Sequence, residues 1–408
     1  MKKLLLAIAI CFVGLTTYSQ TEYSTNKEGS EYKFEKIAHL EATPVLSQGY
    51  TGTCWSFSTL SFFESELKRT GKGDHVLSQM WIARFAYIGK AINYIRMNGK
   101  ANFDEGGAFV DIPWVIKKYG IVPLEAYKGL NYGSEKHTHA ELSEVLKGAM
   151  EGVLKRANKL KTGQGLSTAW VKAIDGILNA YLGYVPSDVN EMKFQVNGKE
   201  HTPITYRDKL GLNMDDYVSV TSFTHHPFYT KNPIMVPDNW TMASSYNVPL
   251  DEFWSIAEDA ITSGYSFAWG SDVSEKYFNY RSGLAIVPKD KSSIFVSGQD
   301  NKNFSDGGSD KKASCFEKPG EEEDVTQAQR QEAYDDKQTT DDHGMHAVGV
   351  YKDQNGTKYL LIKNSWGKSN DCDGYFYASE AFFKYKTINI FLHKDGLSKG
   401  MKKKLGIK

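Results

Sequence analysis

Cysteine is scarce in this chain, charge of either sign is not in excess, and long apolar runs are missing beyond the first residues. Lysine plus arginine and aspartate plus glutamate number 49 each. No global basic field therefore exists to hold a nucleic-acid backbone. Past the N-terminus no apolar run reaches the about 18–20 residues that span a bilayer. No Cys/His set has zinc-finger spacing, so no metal is expected. No internal repeat is visible. Charged residues make up 24% and hydrophobic ones 40%, as in ordinary globular proteins, which excludes a disordered or fibrous body. The 408 residues suffice for two domains, or for one domain with a large insertion.

The four cysteines narrow the reading further. Lys2 and Lys3 precede the apolar run from Leu4 to Leu15, and Thr17-Tyr18-Ser19 follow before Gln20. That order is a secretory signal over residues 1–19, so the protein is expected to be exported, periplasmic or secreted. Cys11 follows the bulky Ile10 and does not read as a lipid-attachment site. Removal of the signal leaves Cys54, Cys315 and Cys372. An odd count in an exported protein points to one free, reactive thiol and at most one disulfide. Cys315 and Cys372 lie in polar loops and are the candidates for pairing.

Residues 20–44 read as a polar leader. In 45–130, Phe57, Leu60, Phe63 and Leu67 recur at helical spacing and Gly71 stops them. Further helical patterns cover 78–97 and 108–119. Residues 131–260 read as a large, mainly helical insertion, and 261–393 as a sheet-forming part. That part contains the acidic stretch 297–342, whose segment 317–342 holds ten acids against three bases. Residues 394–408, with six lysines and one aspartate, form a basic tail. The fold class is α+β, with a helical lobe followed by a largely antiparallel, barrel-like sheet lobe.

Two segments carry chemistry. In Gln48-Gly49-Tyr50-Thr51-Gly52-Thr53-Cys54-Trp55-Ser56-Phe57, a glycine-containing loop delivers Cys54 to the first turn of a helix. Unpaired N–H groups and the helix dipole favour thiolate there. Gln48 and the Cys54 N–H would supply two donors for an oxyanion. A buried structural cysteine with Gln48 as a cap is the plainer reading of this segment alone.

The second segment is a hairpin. His346 begins the strand pattern Ala347–Tyr351, and Tyr359–Lys363 runs into Asn364-Ser365-Trp366-Gly367. A three-residue loop, Gln354-Asn355-Gly356 with Gly356 left-handed, sets His346 directly across from Asn364. A two-residue loop would put them on opposite faces. Cys54 is then the nucleophile, His346 the general base and acid, and Asn364 the residue that orients the imidazole. Trp366 would shield that hydrogen bond from water. His343, after Asp341-Asp342, reads as loop. His225-His226 and His137-x-His139 read as surface or core histidines.

These residues together resemble the papain-like cysteine peptidases. Gln-x5-Cys-Trp-Ser-Phe, a distant His-Ala-Val and Lys-Asn-Ser-Trp-Gly are similar to that family's motifs, with Trp55 and Trp366 as supporting residues. Leu77-Ser78-Gln79 and Asp373-Gly374-Tyr375-Phe376 fit as well. Glu105-Gly106-Gly107 resembles the family's substrate-binding turn, which implies that Gly106 and Gly107 bind substrate. The insertion, together with Lys118–Pro123, Asn247-Val248-Pro249 and Trp269–Val273, resembles the bleomycin hydrolase and aminopeptidase C branch. That resemblance implies a two-lobed papain-like fold and a cofactor-free peptidase acting on peptides. It further implies aminopeptidase activity, hexameric assembly and a C-terminal arm whose carboxylate meets the substrate amine in the cleft. A papain-like endopeptidase, or another Cys/His acyl-transfer enzyme such as an amidase, are the alternatives.

Overall fold

The helix Cys54–Arg69 has no solvated face over most of its length: every residue from Cys54 to Leu67 is buried. A helix buried on all sides belongs at the centre of a fold. In the computed structural model, which describes residues 23–294 and 314–408, this helix lies between two lobes. The expected signal peptide, 1–19, lies outside the described residues, as does part of the acidic stretch. Leu60, Phe62, Phe63 and Leu67 are fully buried, each contributing about 1.5–3 kcal/mol relative to exposure. The polar residues on the helix are matched. Glu66 takes both forks of Arg69, at 2.7 Å each.

One side of the central helix meets the helices Gln79–Arg96 and Asp111–Tyr119. Ser78 caps the first of these by accepting from the Trp81 N–H at 3.1 Å. Ala140–Ala157 and Ala169–Leu182 add a further layer through Leu142, Leu146, Met150, Ile174 and Leu178. The buried Arg84 ties that layer down with bonds to Asp175 and Asn179 at 2.6 and 2.8 Å.

The other side packs on the strand His343–Lys352, in the middle of a sheet with twelve strands among the described residues. Its spine runs Tyr217–Thr221, Thr387–His393, Phe267–Ser271, His343–Lys352, Lys358–Lys363, Tyr375–Ser379. Neighbours along this spine are antiparallel. Among the described residues the outermost strands, Lys231–Pro233 and Phe278–Asn279, do not pair with each other, so the sheet is open and not a closed barrel.

Three segments join the body of the fold. Within 131–260 the helices up to Leu182 pack on the helical lobe, but Tyr217–Thr221 and Ser244–Asn247 are strands of the main sheet. The leader is woven in as well: Phe34–His39 pairs with Gly349–Lys352, and Phe34 is fully buried. The tail forms the helix Lys399–Leu405, whose Met401 and Leu405 join the sheet-lobe core. Cys315 and Cys372 are both free thiols, and the Cys372 thiol donates to the Asn26 carbonyl at 2.7 Å.

Candidate active site

Cys54 opens its helix at the floor of a cleft between the lobes. The cavity, about 320 Å³, is lined by Gln48, Cys54, Trp55, Gly106, Gly107, His343 and Trp366, among others. The Thr53 carbonyl accepts from Ser56 and Phe57 N–H at 2.9 and 3.2 Å, closing the first turn beneath the sulfur. A side-chain carbon on Gly344 would stand 3.1 Å from the Trp55 Cα and 3.0 Å from Ser58 Oγ. Only glycine lets the strand and the nucleophile helix approach this closely. The Gly344 and Trp55 N–H groups face the sulfur and favour thiolate, yet burial outweighs them. With the Asp341 and Asp238 carboxylates adding to it, burial pushes the thiol up to about 12. The helix start thus does not by itself ionise this cysteine.

The imidazole that shares this cavity is that of His343, a correction to the expectation for His346. His343 Nε2 lies 2.7 Å from Asn364 Oδ1. That oxygen also accepts from the Ser365 N–H at 2.8 Å, which fixes the amide orientation. Nε2 therefore carries the proton, and Nδ1 is left as the free base. The Trp366 ring lies over His343 with centroids 4.7 Å apart. Burial holds His343 down to about 4, against the opposing effect of the Asn364 bond. In both groups burial disfavours the charged form.

His346 is fully buried and turned to the helix, its Nδ1 2.9 Å from Ser61 Oγ. Burial, and the Lys363 ammonium next to it, keep it neutral. The physical reason is one residue. The hairpin tip has the three-residue loop: Asp353 N–H donates to Thr357 O at 2.9 Å, and Gly356 has φ +86°. Lys352 through Gly349 then pair with Lys358 through Leu361 as that loop dictates. Between Ala347 and Gly349 the register slips, leaving Val348 as an extra residue, so that His346 faces Lys363 and not Asn364. The strand also starts earlier than its apolar run, because His343 to Ala347 pair with Ser271 to Phe267.

Gln48 is bound to the same segment. Its N–H donates to Ser365 O at 2.8 Å, its Oε1 accepts from Ser365 Oγ at 2.6 Å, and Nε2 donates to Thr51 O at 2.5 Å. One Nε2 hydrogen remains for a ligand. Trp55 is held by its indole N–H on Glu105 O at 3.1 Å, and its ring packs so closely under Gly107 that a side-chain carbon there would come within 2.7 Å. This places the Gly106-Gly107 turn at the cleft edge. The sequence reading missed Gly344, Asp238 and Asp341. A glycine directly after a histidine was the one signal that the strand touches the nucleophile helix there.

A thiol at a helix start, an imidazole fixed by an asparagine, and a cleft between a helical and a sheet lobe define a cysteine-type hydrolase of papain-like fold. The chain belongs to the Peptidase C1-like family, whose model matches residues 2–289 and 319–407. Aminopeptidase C of Listeria innocua is 26% identical over 416 residues, covering 93% of this chain and 86% of that protein. Aminopeptidase C of Lactococcus lactis subsp. cremoris is 23% identical, covering 88% and 82%. Bleomycin hydrolase of Rattus norvegicus is 21% identical, covering 90% and 84%. The crystal structure of PepW from Lactobacillus rhamnosis shares the fold, with a TM-score of 0.65 at 20% identity over 91% of this chain and 84% of that one.

Proposed function

We propose that this protein is an exported thiol aminopeptidase, in which Cys54, His343 and Asn364 act together. The observation that carries the reading is the His343–Asn364 bond in the cleft that Cys54 opens into. Cys54 Sγ attacks the substrate carbonyl carbon while His343 Nδ1 takes the thiol proton. The oxyanion meets the Cys54 N–H and the free Nε2 hydrogen of Gln48. The C–N bond then breaks, the amine leaves with the proton from His343, and water hydrolyses the thioester by the same base. Asn364 holds the imidazolium without adding charge. No step calls on a metal or an organic cofactor. The aminopeptidase C relatives, matched over most of their length, support removal of N-terminal residues.

The test is a pair of fluorogenic peptides, identical except that one has a free amine and the other is N-acylated, with Cys54→Ala as control. The free-amine peptide alone should be turned over, and the control should be silent. Turnover of both peptides at similar rates would make the enzyme an endopeptidase instead. Equal turnover by the Cys54→Ala protein would remove the thiol mechanism altogether. Export rests on Lys2, Lys3 and the apolar run that follows. N-terminal sequencing of the mature protein should begin near Gln20, and an intact Met1 would overturn it.

A further inference from the structure

An aminopeptidase has to recognise a positive amine, and the cleft wall carries negative charge for which the protein provides little compensation. Asp238, Asp341 and Asp342 line the cavity that holds Cys54 and His343. Their surroundings differ. Asp342 is engaged: its carboxylate accepts from Val273 N–H at 3.0 Å and Ser274 N–H at 3.1 Å. Asp238 is engaged on one side only, with Oδ1 2.8 Å from Asn102 Nδ2. Its other oxygen lies against Gly106, where an added side-chain carbon would fall onto the carboxylate. Asp341 has no hydrogen bond and no ion pair among the described residues. It is half-buried, with part of its surface facing the cleft.

The charge around these groups does not balance internally. The groups that act on Asp341 are the Asp238 and Asp342 carboxylates, and no cation is among them. Lys90 acts on Asp238, but its ammonium is spent on the Asp104 and Gly106 carbonyls and is shared with the buried Asp111. Burial and like charge accordingly push the Asp341 carboxyl up to about 8, as expected of an acid set among other acids in a cleft wall. A metal does not fit these carboxylates. Among the described residues no three histidine, cysteine or acidic side chains stand close enough to hold one.

Nor does the tail meet these carboxylates. None of residues 394–408 lines the cavity. Met401 and Leu405 are buried in the sheet-lobe core, Lys402 pairs with Asp395, and Lys404 pairs with Glu252 at 2.7 Å. Residues 394–408 are therefore docked away from the cleft.

We propose that Asp341, seconded by Asp238, binds the terminal ammonium of the peptide substrate, so that amine recognition is built into the cleft wall. The proposal rests on the aminopeptidase reading and names the groups that carry it out. A peptide α-ammonium, with a pKa of about 8, is charged at neutral pH and supplies three N–H donors. Asp341 offers both oxygens and Asp238 one. The apolar Phe109, Val110, Ile234 and Val236 alongside would take the first side chain.

The experiment measures binding and turnover separately. In the full chain carrying Cys54→Ala, a free-amine peptide and its N-acetylated form are titrated by calorimetry. The free-amine form should bind at least tenfold more tightly, and adding Asp341→Asn should bring that ratio close to one. Asp341→Glu should restore part of it, which a merely structural role would not. In the active enzyme, Asp341→Asn should lower the free-amine to acetylated preference in kcat/KM at least tenfold, chiefly through KM. Asp238→Asn should lower it less.

If the preference survives Asp341→Asn, or the Cys54→Ala protein binds both peptides equally, the amine site is wrong. If the active enzyme hydrolyses neither peptide, the aminopeptidase reading fails, and the calorimetric ratio still decides the amine site. An equal loss for both peptides on Asp341→Asn would assign Asp341 to the chemistry and overturn its role in recognition.

Discussion

His343→Ala is expected to lower kcat/KM by about three to four orders of magnitude, the scale of a lost general acid–base. His346→Ala should cost no more than about tenfold. The two residues are three apart and both buried, yet only His343 shares the Cys54 cavity and bonds to Asn364. His346 lines a separate, smaller cavity with Ser61, Glu64 and Lys363. Its loss leaves the Ser61 hydroxyl without its imidazole partner, which should appear as about 1–3 kcal/mol of stability. Steady-state kinetics on the free-amine peptide, with a thermal melt of each variant, separates the two effects. A collapse of activity in the well-folded His346 variant, with His343→Ala near wild type, would return the catalytic role to His346.

The largest effect on stability should come from Glu64. It is 1% exposed in the central helix, where Oε1 accepts from the Leu77 N–H at 2.8 Å and Oε2 from the Thr43 hydroxyl. Lys363 reaches the same pocket, donating to Thr43 Oγ1 at 3.1 Å and Ser61 Oγ at 2.7 Å. Burial pushes the Glu64 carboxyl up to about 7 and the Lys363 ammonium down to about 8, and each charge favours the ionised form of the other. Glu64→Leu strands the ammonium in the core, and Lys363→Met strands the carboxylate. Each should cost about 3–5 kcal/mol. The double variant should recover much of that loss, because what destabilises is the charge left unpaired, not the absence of the pair. Urea unfolding of the four proteins closes the cycle. Simple additivity of the two single losses would show that the groups do not interact.

Much of this arrangement was legible without coordinates. The period of Phe57, Leu60, Phe63 and Leu67 located the helix now seen as Cys54–Arg69. The loop Gln354-Asn355-Gly356 and the register it imposes held as far as Gly349. The bulge at Val348 was not legible, because an apolar residue looks the same whether it is paired or extra. Strand pairing was the other hidden quantity. His343 belongs to a strand through its partner Ser271, about 70 positions earlier, not through any apolar pattern of its own. The helix N-terminus suggested an ionised thiol. The surrounding burial and the Asp238 and Asp341 carboxylates, which act in the opposite sense, come from distant segments. The tail was read from its lysines, while its fate was set by Met401 and Leu405, which find the sheet-lobe core.

The extra residue at Val348 also separates two kinds of change that evolution can make in this hairpin. His343 takes its position from Ser271 on one neighbouring strand, and Asn364 follows directly on Lys363, which is registered by Tyr375 on another. The tip around Asn355 holds neither of them. A family built on this sheet can therefore lengthen or shorten that turn, and let it diverge as surface loops do, while the imidazole and the amide that orients it stay in register.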